Sequence, residues 1–296
     1  MATLLFDWGG SAIKYGVWAQ DTLMDTGSVK TPASWEEMKA QLLEVYRDFQ
    51  QRYDIQGVGV SAPGNVDAER GVIGGLSAIP YIHHFPIVDE LTALFGLPVS
   101  IENDANAAGI AEAAVGAGRD YRHVLFVIVG SGVGGAILED KVLRRGSHLY
   151  AGEFGLMTLQ DGQTFSELGT AVAMAKRYAQ RMSLAEDSVT GAEVFRLAEQ
   201  GDAIAQEEVN QFYHWMAVGL FNLQVCYDPD CLIIGGGISS NDAIFAGIQA
   251  RLTALVNEKQ LAEFMPTLLL CQHRNNANLI GAAVSFAQQH GVSHSY

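Results

Sequence analysis

Short apolar runs of strand length alternate along the chain with longer stretches of helical periodicity. The strand candidates are 3–7, 14–19, 57–61, 99–102, 124–129, 134–139, 231–235 and 267–271. In 35–53 the apolar residues recur at helical spacing, and Ser34 with Glu37 indicates a capping box at its start. A second helical stretch covers 202–227, with Gly219 as a point where it could break. This alternation predicts an α/β protein.

Two glycine-rich segments share one pattern of apolar run, small-residue turn and second apolar run. They read LLFDWGGSAIKYGVW at 4–18 and VLFVIVGSGVGGAIL at 124–138, which suggests duplication of one domain type. Glycine reaches positive φ and allows a tight turn to aim several N–H groups at one anion. Taken alone, the turn at 9–11 is better explained as an ordinary hairpin.

A third glycine cluster, at 235–237, follows a buried-type strand in CLIIGGGIS and precedes a helix predicted from Asn241. Loops at the carboxyl ends of strands are where open α/β sheets bind ligands. The alternative is a tight strand–helix link, which needs only one or two glycines.

Composition narrows the classes of partner. The 296 residues carry a net charge of −15, with 49% hydrophobic and 17% charged residues. This indicates one large or two modest folded domains and argues against nucleic acid as a partner, whose phosphates need clustered cations. A nucleotide remains possible, because backbone N–H groups can hold phosphate.

The cysteines and the apolar runs point to a cytoplasmic protein. We interpret Cys226, Cys231 and Cys271 as reduced thiols, since neither their number nor their spacing suggests disulfides or a metal site. The first residues lack the pattern of a secretory signal, and no apolar run reaches the roughly 18 residues of a membrane span.

Seven motifs in order give the chain a family resemblance. They are FDWGGSAIK, GVGVSAPGNVD, IENDANAAGIAEA, VGSGVGGAIL, AGEFG, DPDCLIIGGGIS and NNANLIGAA. Together they span 7–283 and resemble the ROK family of sugar kinases in the actin/Hsp70/hexokinase superfamily. The resemblance implies two ribonuclease-H-like α/β domains with a cleft between them, at 1–116 and 117–280, and a C-terminal helix at about 281–296 packing back on the first.

The resemblance also implies the ligands and their binding residues. ATP, Mg²⁺ and a sugar are expected, and a homodimer is common in the family. Gly9, Gly10 and Ser11 would face the phosphoryl group that is transferred. The other phosphates would lie at Gly130, Ser131 and Gly132, and the adenosine at Gly235, Gly236 and Gly237. Asp7 would hold Mg²⁺, mainly through water. Lys14 either adds positive charge near the phosphates or extends from its strand to solvent.

Asp104 is the expected catalytic residue by the same resemblance. It would act as general base for the sugar hydroxyl, with Asn103 bonding a neighbouring hydroxyl. On its own, an aspartate between a strand and the helix expected at 105–115 is more typical of a helix cap. The other sugar-binding residues implied are Gly64, Asn65, Glu153 and Glu167; the alternative for the first two is a plain turn after Pro63.

Departures from the family pattern fall on the sugar side. Leu156 stands where relatives usually have a histidine that binds sugar and zinc, and the following segment lacks the zinc-binding cysteines, so we predict no zinc. Ala78 replaces a sugar-contacting asparagine. Nearby, His83 and His84 could contact a sugar or a second ring, although a surface loop is the more ordinary reading.

These features predict an ATP-dependent sugar kinase that phosphorylates a primary (C6) hydroxyl of a hexose or β-glucoside. The loss of a histidine for Leu156 suggests room for a substituent at C1. Glucokinase, fructokinase or N-acetylmannosamine kinase specificity, or a catalytically silent sugar-binding protein, are the alternatives. A repressor of the same family would need a helix-turn-helix, for which residues before Asp7 leave no space. Domain closure around the ligands is also expected.

Overall fold

The computed structural model describes residues 2–291, which form two compact units. Unit 1 contains the described residues of Met1–Arg119, Leu143–Tyr150 and Asn275–Tyr296; unit 2 contains Asp120–Val142 and Ala151–Arg274. The segment Leu143–Tyr150 thus groups with unit 1, whereas the sequence boundaries placed it in 117–280. Those boundaries remain a prediction about independently folding domains.

The strands and helices alternate as follows. The strands are β1 Ala2–Trp8, β2 Ala12–Ala19, β3 Thr22–Lys30, β4 Ile55–Ala62, β5 Asn65–Asp67, β6 Val72–Gly74, β7 Val99–Asn103, β8 Val124–Val129, β9 Val133–Glu139, β10 Val142–Leu143, β11 Thr158–Gln160, β12 Gln163–Thr164, β13 Cys231–Gly236 and β14 Leu268–Leu270. The helices are α1 Trp35–Phe49, α2 Ile87–Phe95, α3 Asp104–Val115, α4 Phe165–Leu168, α5 Ala171–Arg181, α6 Gly191–Glu199, α7 Ala203–Tyr227, α8 Asp242–Glu258 and α9 Ala277–His290.

The five-stranded sheets of the two units have the same topology. Unit 1 has the order β3-β2-β1-β4-β7, and the other sheet has β10-β9-β8-β13-β14. In both, the second and third strands of the order pair antiparallel, and the fourth strand pairs parallel with both of its neighbours. This shared order supports the internal duplication suggested by the two glycine-rich segments.

Helix α9 closes one face of the unit 1 sheet and lies where the sequence placed a returning C-terminal helix. It begins at Ala277, four residues before the predicted start, and packs against α3, β1, β4 and β7. The run from Leu279 to Ala287 is buried almost throughout. The predicted end, 292–296, lies outside the described residues.

Two local predictions about helices are corrected. Helix α7 runs unbroken through Gly219, where a Cβ would overlap the ring of Phe165; the glycine makes room for packing rather than ending the helix. At α1, Ser34 accepts from the Glu37 N–H at 3.3 Å, but the Glu37 carboxylate accepts from the N–H of Ala33 at 3.0 Å. The predicted capping box is therefore only half formed.

Six of the described strands escaped the sequence prediction: the long strand β3 and the two- or three-residue strands β5, β6, β10, β11 and β12. β3 (TLMDTGSVK) carries mostly exposed and half-exposed residues because it is the sheet edge of unit 1, so it lacks the apolar run used to find strands. In the part of the chain that the structure describes, no helix is both long and apolar enough to cross a membrane.

Candidate active site

The turn between β1 and β2 presents Gly9, Gly10 and Ser11 at the surface of unit 1. The Gly9 N–H donates to the carbonyl of Ala12 at 3.0 Å, which makes the turn tight. A Cβ on Gly10 would lie 2.6 Å from the Cβ of Ala78. The small residue at position 78 and the glycine therefore let the two loops approach each other.

Asp7 is a buried carboxylate beside this turn, only 6% exposed. Its Oδ1 accepts from the Ser61 hydroxyl at 3.0 Å and from the Asn278 amide at 2.9 Å. Its Oδ2 lies 3.8 Å from the Lys14 ammonium, which also donates to the carbonyl of Asn275 at 3.4 Å. Lys14 is therefore the cation that balances Asp7 in unit 1.

Polar residues form a row across the parallel strands of unit 1. Asp7 on β1 is in register with Ser61 on β4, and Ser61 with Glu102 on β7. Register partners in a sheet point to the same face, so this row collects at the carboxyl edge of the strands. The carboxyl edge of a parallel sheet is where α/β proteins place ligand-binding residues.

Asn103 and Asp104 continue that edge at the start of α3. Asn103 is the N-cap residue, with its Oδ1 accepting the Asn106 N–H at 3.1 Å. Its amide Nδ2 donates to the Gly64 carbonyl at 3.1 Å and to Asp104 Oδ1 at 3.0 Å, and the same oxygen accepts the Ala105 N–H at 2.9 Å. The capping function belongs to Asn103, while Asp104 is held in one orientation as the first helical residue.

Gly64 and Asn65 form the loop that Asn103 contacts. Gly64 has a φ of +104°, which a residue with a side chain rarely adopts, and a Cβ there would lie 2.9 Å from both the His83 and the Ile73 side chains. The position thus requires glycine for its backbone and for space. Asn65 begins β5 and pairs with Gly74 on β6.

His83 is part of this loop structure. Its Nδ1 lies 3.1 Å from the carbonyl of Gly74 and its Nε2 lies 2.8 Å from the Ser77 hydroxyl. Because a carbonyl only accepts, His83 Nδ1 carries a proton and donates it to Gly74. His84 instead lines a cavity of 730 Å³ in unit 1, together with Asn65, Asp67, Arg70, Phe85 and His148 among others.

The corresponding turn of unit 2 joins β8 to β9 through Gly130, Ser131 and Gly132. The Gly130 N–H donates to the Gly132 carbonyl at 2.9 Å, and a Cβ on Gly130 would meet no atom within 4 Å. Ser166 supports the turn from α4, since its hydroxyl accepts the Val133 N–H at 3.0 Å. Ser131 and Ser166 line a cavity of 660 Å³ whose wall includes Thr170, Lys176 and Arg177.

The third glycine cluster lies beside the same turn, because Gly236 on β13 is in register with Val129 on β8. Each glycine has a different environment. A Cβ on Gly235 would lie 2.6 Å from the Phe126 ring, Gly236 has a φ of +85°, and Gly237 faces open space. The first two are explained by packing and backbone, so Gly237 is the one that leaves room for a ligand.

Glu153 and Leu156 bracket a short 3₁₀ turn, Phe154–Leu156, in unit 2. Glu153 is an exposed residue, yet surrounding protein shields part of its carboxyl group, and this burial raises the pKa of Glu153 above its usual value. Leu156 is 62% exposed. An acidic group and an apolar side chain are thus presented three residues apart.

Glu167 is engaged in a capping box. Its Oε2 accepts from both the N–H and the hydroxyl of Thr164 at 2.8 Å, and these hydrogen bonds lower the pKa of Glu167. It also lines the 660 Å³ cavity with Ser131. These contacts suit a helix cap, so the predicted contact of Glu167 with sugar gains no support from them.

No cluster of three histidine, cysteine, aspartate or glutamate side chains suited to a metal ion occurs within residues 2–291. Cys226 is exposed, whereas Cys231 and Cys271 are buried. Burial, with a smaller contribution from the charge of Asp230, raises the pKa of Cys231 to about 12. The expected absence of zinc stays a prediction.

Comparison with known proteins decides the family. Residues 4–289 match the ROK family. The chain belongs to the ROK family. It is 32% identical over 300 residues to a beta-glucoside kinase of Listeria innocua, with 98% of each chain covered.

Solved structures of this family have the same fold. A ROK family protein from Streptococcus pneumoniae in complex with sucrose has a TM-score of 0.90 at 31% identity, covering 98% of this chain and 99% of that one. A ROK family glucokinase from Streptomyces griseus in complex with glucose and AMPPNP has a TM-score of 0.76 at 27% identity, covering 96% and 98%. The predicted family, the actin-like ATPase fold and the enzyme class, an ATP-dependent carbohydrate kinase, are confirmed.

Each unit of this ROK kinase gathers its own share of the predicted residues. In unit 1, Asp7 and Lys14 form an ion pair next to the first glycine turn. In the same unit, Asn103 bonds to both Gly64 and Asp104. Unit 2 brings the second glycine turn beside the third cluster. Sequence reasoning missed Ser61, Glu102, Arg145, Ser166 and Asn278. A glutamate within the apolar run of β7 was the available signal for Glu102; the others have no signal, because tertiary contacts alone select them.

Proposed function

We propose that this ROK kinase transfers the γ-phosphoryl group of ATP to the primary C6 hydroxyl of a hexose unit, with Asp104 as general base. The orientation of Asp104 carries the proposal: the Asn103 amide joins the Gly64 carbonyl to Asp104 Oδ1, so the carboxylate is held before any substrate binds. Positioning of this kind is the main contribution of a protein to phosphoryl transfer.

The proposed reaction is a direct displacement at the γ-phosphorus of ATP. The C6 oxygen forms a bond to the γ-phosphorus, the bond between that phosphorus and the β–γ bridging oxygen breaks, and ADP leaves with the electron pair. The hydroxyl proton passes to the Asp104 carboxylate, which suits a group within hydrogen-bond reach of the attacking oxygen. Both N–H groups of the Asn103 amide are already used, but its Oδ1 accepts only one bond and can accept another from a neighbouring sugar hydroxyl.

Asp7 fits the role of a Mg²⁺ residue. Ser61 and Asn278 hold Oδ1 of its carboxylate, while Oδ2 faces the Lys14 ammonium at 3.8 Å. Mg²⁺ commonly binds through one carboxylate and retained waters. When bound, the ion would neutralise charge on the phosphates of ATP, and Lys14 would supply further positive charge next to the Gly9–Gly10 turn.

Two glycines of unit 2 that face open space support a nucleotide site in that unit. Gly130 and Gly237 both face free space, and Ser131 lies at the wall of the 660 Å³ cavity. Exposed N–H groups of such turns bind phosphate oxygens well. We assign the phosphates to the turn at 130–132 and the adenosine to the region of Gly237.

For the sugar, we propose a β-glucoside. Its support is the exposed Leu156, an apolar surface three residues from Glu153, together with the beta-glucoside kinase relative. Glu153, whose raised pKa reflects a shielded carboxyl group, would accept hydrogen bonds from sugar hydroxyls. The homodimer and the cytoplasmic location stay predictions.

Substitution of the base tests the mechanism. Asp104→Asn keeps the shape of the side chain but cannot take the proton, so kcat should fall roughly 10²–10⁴-fold. ADP release would be measured with ATP, Mg²⁺ and a panel of glucose, hexosamines, fructose and β-glucosides, and NMR of the product would locate the phosphate.

The exposed carboxylate of Asp54 provides the control, since Asp54→Asn changes the same group away from the site. It should leave kcat unchanged. If Asp104→Asn turned over within about threefold of the unmodified protein, the base would have to be another group.

A further inference from the structure

Glu102 is a charged residue in an apolar strand, fully buried at 0% exposure, immediately before Asn103 and Asp104. Its carboxylate contacts three hydrogen-bond donors. Oε1 accepts the backbone N–H of Asn103 at 3.0 Å and the side-chain amide of Asn106 at 3.2 Å. Oε2 pairs with the guanidinium of Arg145. One carboxylate thus binds the N-cap residue of α3 and the third residue of that helix.

Arg145 comes from a different part of the chain. It lies in Leu143–Tyr150, the segment by which the chain returns to unit 1 between β10 and the loop of Glu153. Its Nε is buried without a hydrogen-bond partner among the described residues, and its guanidinium is held by the ion pair with Glu102. Local sequence around Asp104 could not supply this cation.

The pair matters because a buried carboxylate without a counter-ion is strongly disfavoured. If the cation is lost, Glu102 must turn away or admit water. Each of these weakens acceptance from the Asn103 N–H and the Asn106 amide. Asn103 is also the residue whose amide reaches the Gly64 carbonyl and Asp104 Oδ1. Three hydrogen-bonded links, through Glu102 and Asn103, therefore connect Arg145 to the carboxylate of Asp104.

We propose that the ion pair between the buried Glu102 carboxylate and the partly exposed Arg145 guanidinium is a positioning device for the catalytic base: it locks the first turn of α3 and thereby the orientation of Asp104. This inference rests on the proposed role of Asp104 as base. Neither residue touches substrate in it; both act through Asn103. Weakening the pair lowers the rate of the chemical step more than the affinity for ATP.

The chain offers a matched control on the same helix. Glu112 on α3 is also 0% exposed, and its Oε2 accepts the Ala117 N–H at 2.9 Å beyond the far end of the helix. Glu112→Gln removes a buried carboxylate of the same size about 12 Å along the helix axis from Asp104. It measures the effect of lost stability without disturbing the first turn.

The experiment compares Glu102→Gln, Arg145→Ala and Glu112→Gln by steady-state kinetics, with ATP and the best sugar of the panel, and by thermal unfolding. Both substitutions of the pair should lower kcat about 10–10²-fold, as expected for a misplaced catalytic group, with KM for ATP within twofold. Glu112→Gln should lower the unfolding temperature but keep kcat within twofold. Added guanidinium ion should restore part of the kcat of Arg145→Ala, because it can replace the missing cation.

Two results would overturn the proposal. One is equal unfolding temperatures and equal kcat for Glu102→Gln and Glu112→Gln. The other is a loss of kcat in Arg145→Ala that guanidinium does not restore at any concentration the protein tolerates. If Glu102→Gln does not fold, the proposal is tested by whether guanidinium restores the kcat of Arg145→Ala. Failure of the proposed function is seen separately, because Asp104→Asn would then retain turnover.

Discussion

At the scale of single residues, the structure shows which of two adjacent polar residues caps α3. A sequence motif with Asn103 followed by Asp104 allows either residue to cap the helix. The cap is made by Asn103, whose Oδ1 accepts from the Asn106 N–H. Asp104 is thereby released from the capping role, and its carboxylate is oriented by the Asn103 amide. This division is what makes the proposed base chemistry possible for Asp104.

Leu156 is the residue at which substrate preference can be tested. Leu156→His restores the polar side chain usual in the family and removes apolar surface that a C1 substituent would contact. The ratio of kcat/KM for a β-glucoside over that for glucose should fall by roughly tenfold, the size expected for one apolar contact. Competition between the two sugars, followed by product analysis, measures that ratio directly.

Val225→His serves as its control, since Val225 is an exposed apolar residue on α7. The ratio should not change there. A preference for glucose over every glucoside in the unmodified protein would remove the basis for the β-glucoside assignment.

At the scale of elements, close packing of α9 on α3 holds the helix that begins with Asp104. Gly281 sits against the backbone of Ala107, and a Cβ at 281 would overlap it. The NNANLIGAA motif therefore has a packing explanation in addition to its place in the family pattern. Its Asn278 adds a polar contact from the same helix to Asp7.

Gly281→Ala should destabilise the fold by about 1–3 kcal/mol, because overpacking a tight helix contact forces the backbones apart. Urea unfolding followed by circular dichroism gives the free energy. Gln288→Ala on the exposed end of α9 is the matched control and should change stability by less than about 0.5 kcal/mol. Equal effects at both positions would mean that the α3–α9 contact can relax without cost.

At the scale of the whole molecule, ATP binding should raise the free energy of unfolding. A ligand that binds only the folded protein raises its stability by about 2.7 kcal/mol at one hundred times its dissociation constant. AMPPNP should therefore raise the unfolding temperature, and Mg²⁺ should increase that rise. In Asp7→Asn the increase due to Mg²⁺ should be smaller, because the charge that attracts the ion is lost while an amide oxygen can still accept from Ser61 and Asn278.

Thermal unfolding with AMPPNP, in the presence of either Mg²⁺ or EDTA, measures this effect without any turnover. Asp54→Asn again provides the comparison. If the increase due to Mg²⁺ were as large in Asp7→Asn as in the unmodified protein, Asp7 would have no role in holding the ion.

The residue pattern was enough to find most strands and the long helices. Short, nearly continuous apolar runs predicted β1, β4, β7, β8 and β13, because buried strands of a parallel sheet are apolar on both faces. It also indicated the glycine turns and the helix that returns to unit 1. It failed where burial does not shape the sequence: the exposed edge strand β3 has no apolar run, and Gly219 looks like a helix break although it is a packing position.

The sequence by itself determined the family, the class of chemistry and the residue types for it, because those depend on motifs that lie within a few residues of one another. Only the tertiary structure decided which partners hold those residues: Asn278 at Asp7, Gly64 at Asn103, and Arg145 at Glu102. Each of these contacts joins residues that are distant along the chain. Their pairing depends on how strands and helices pack, and a buried carboxylate such as Glu102 reveals its counter-ion only once the chain has folded.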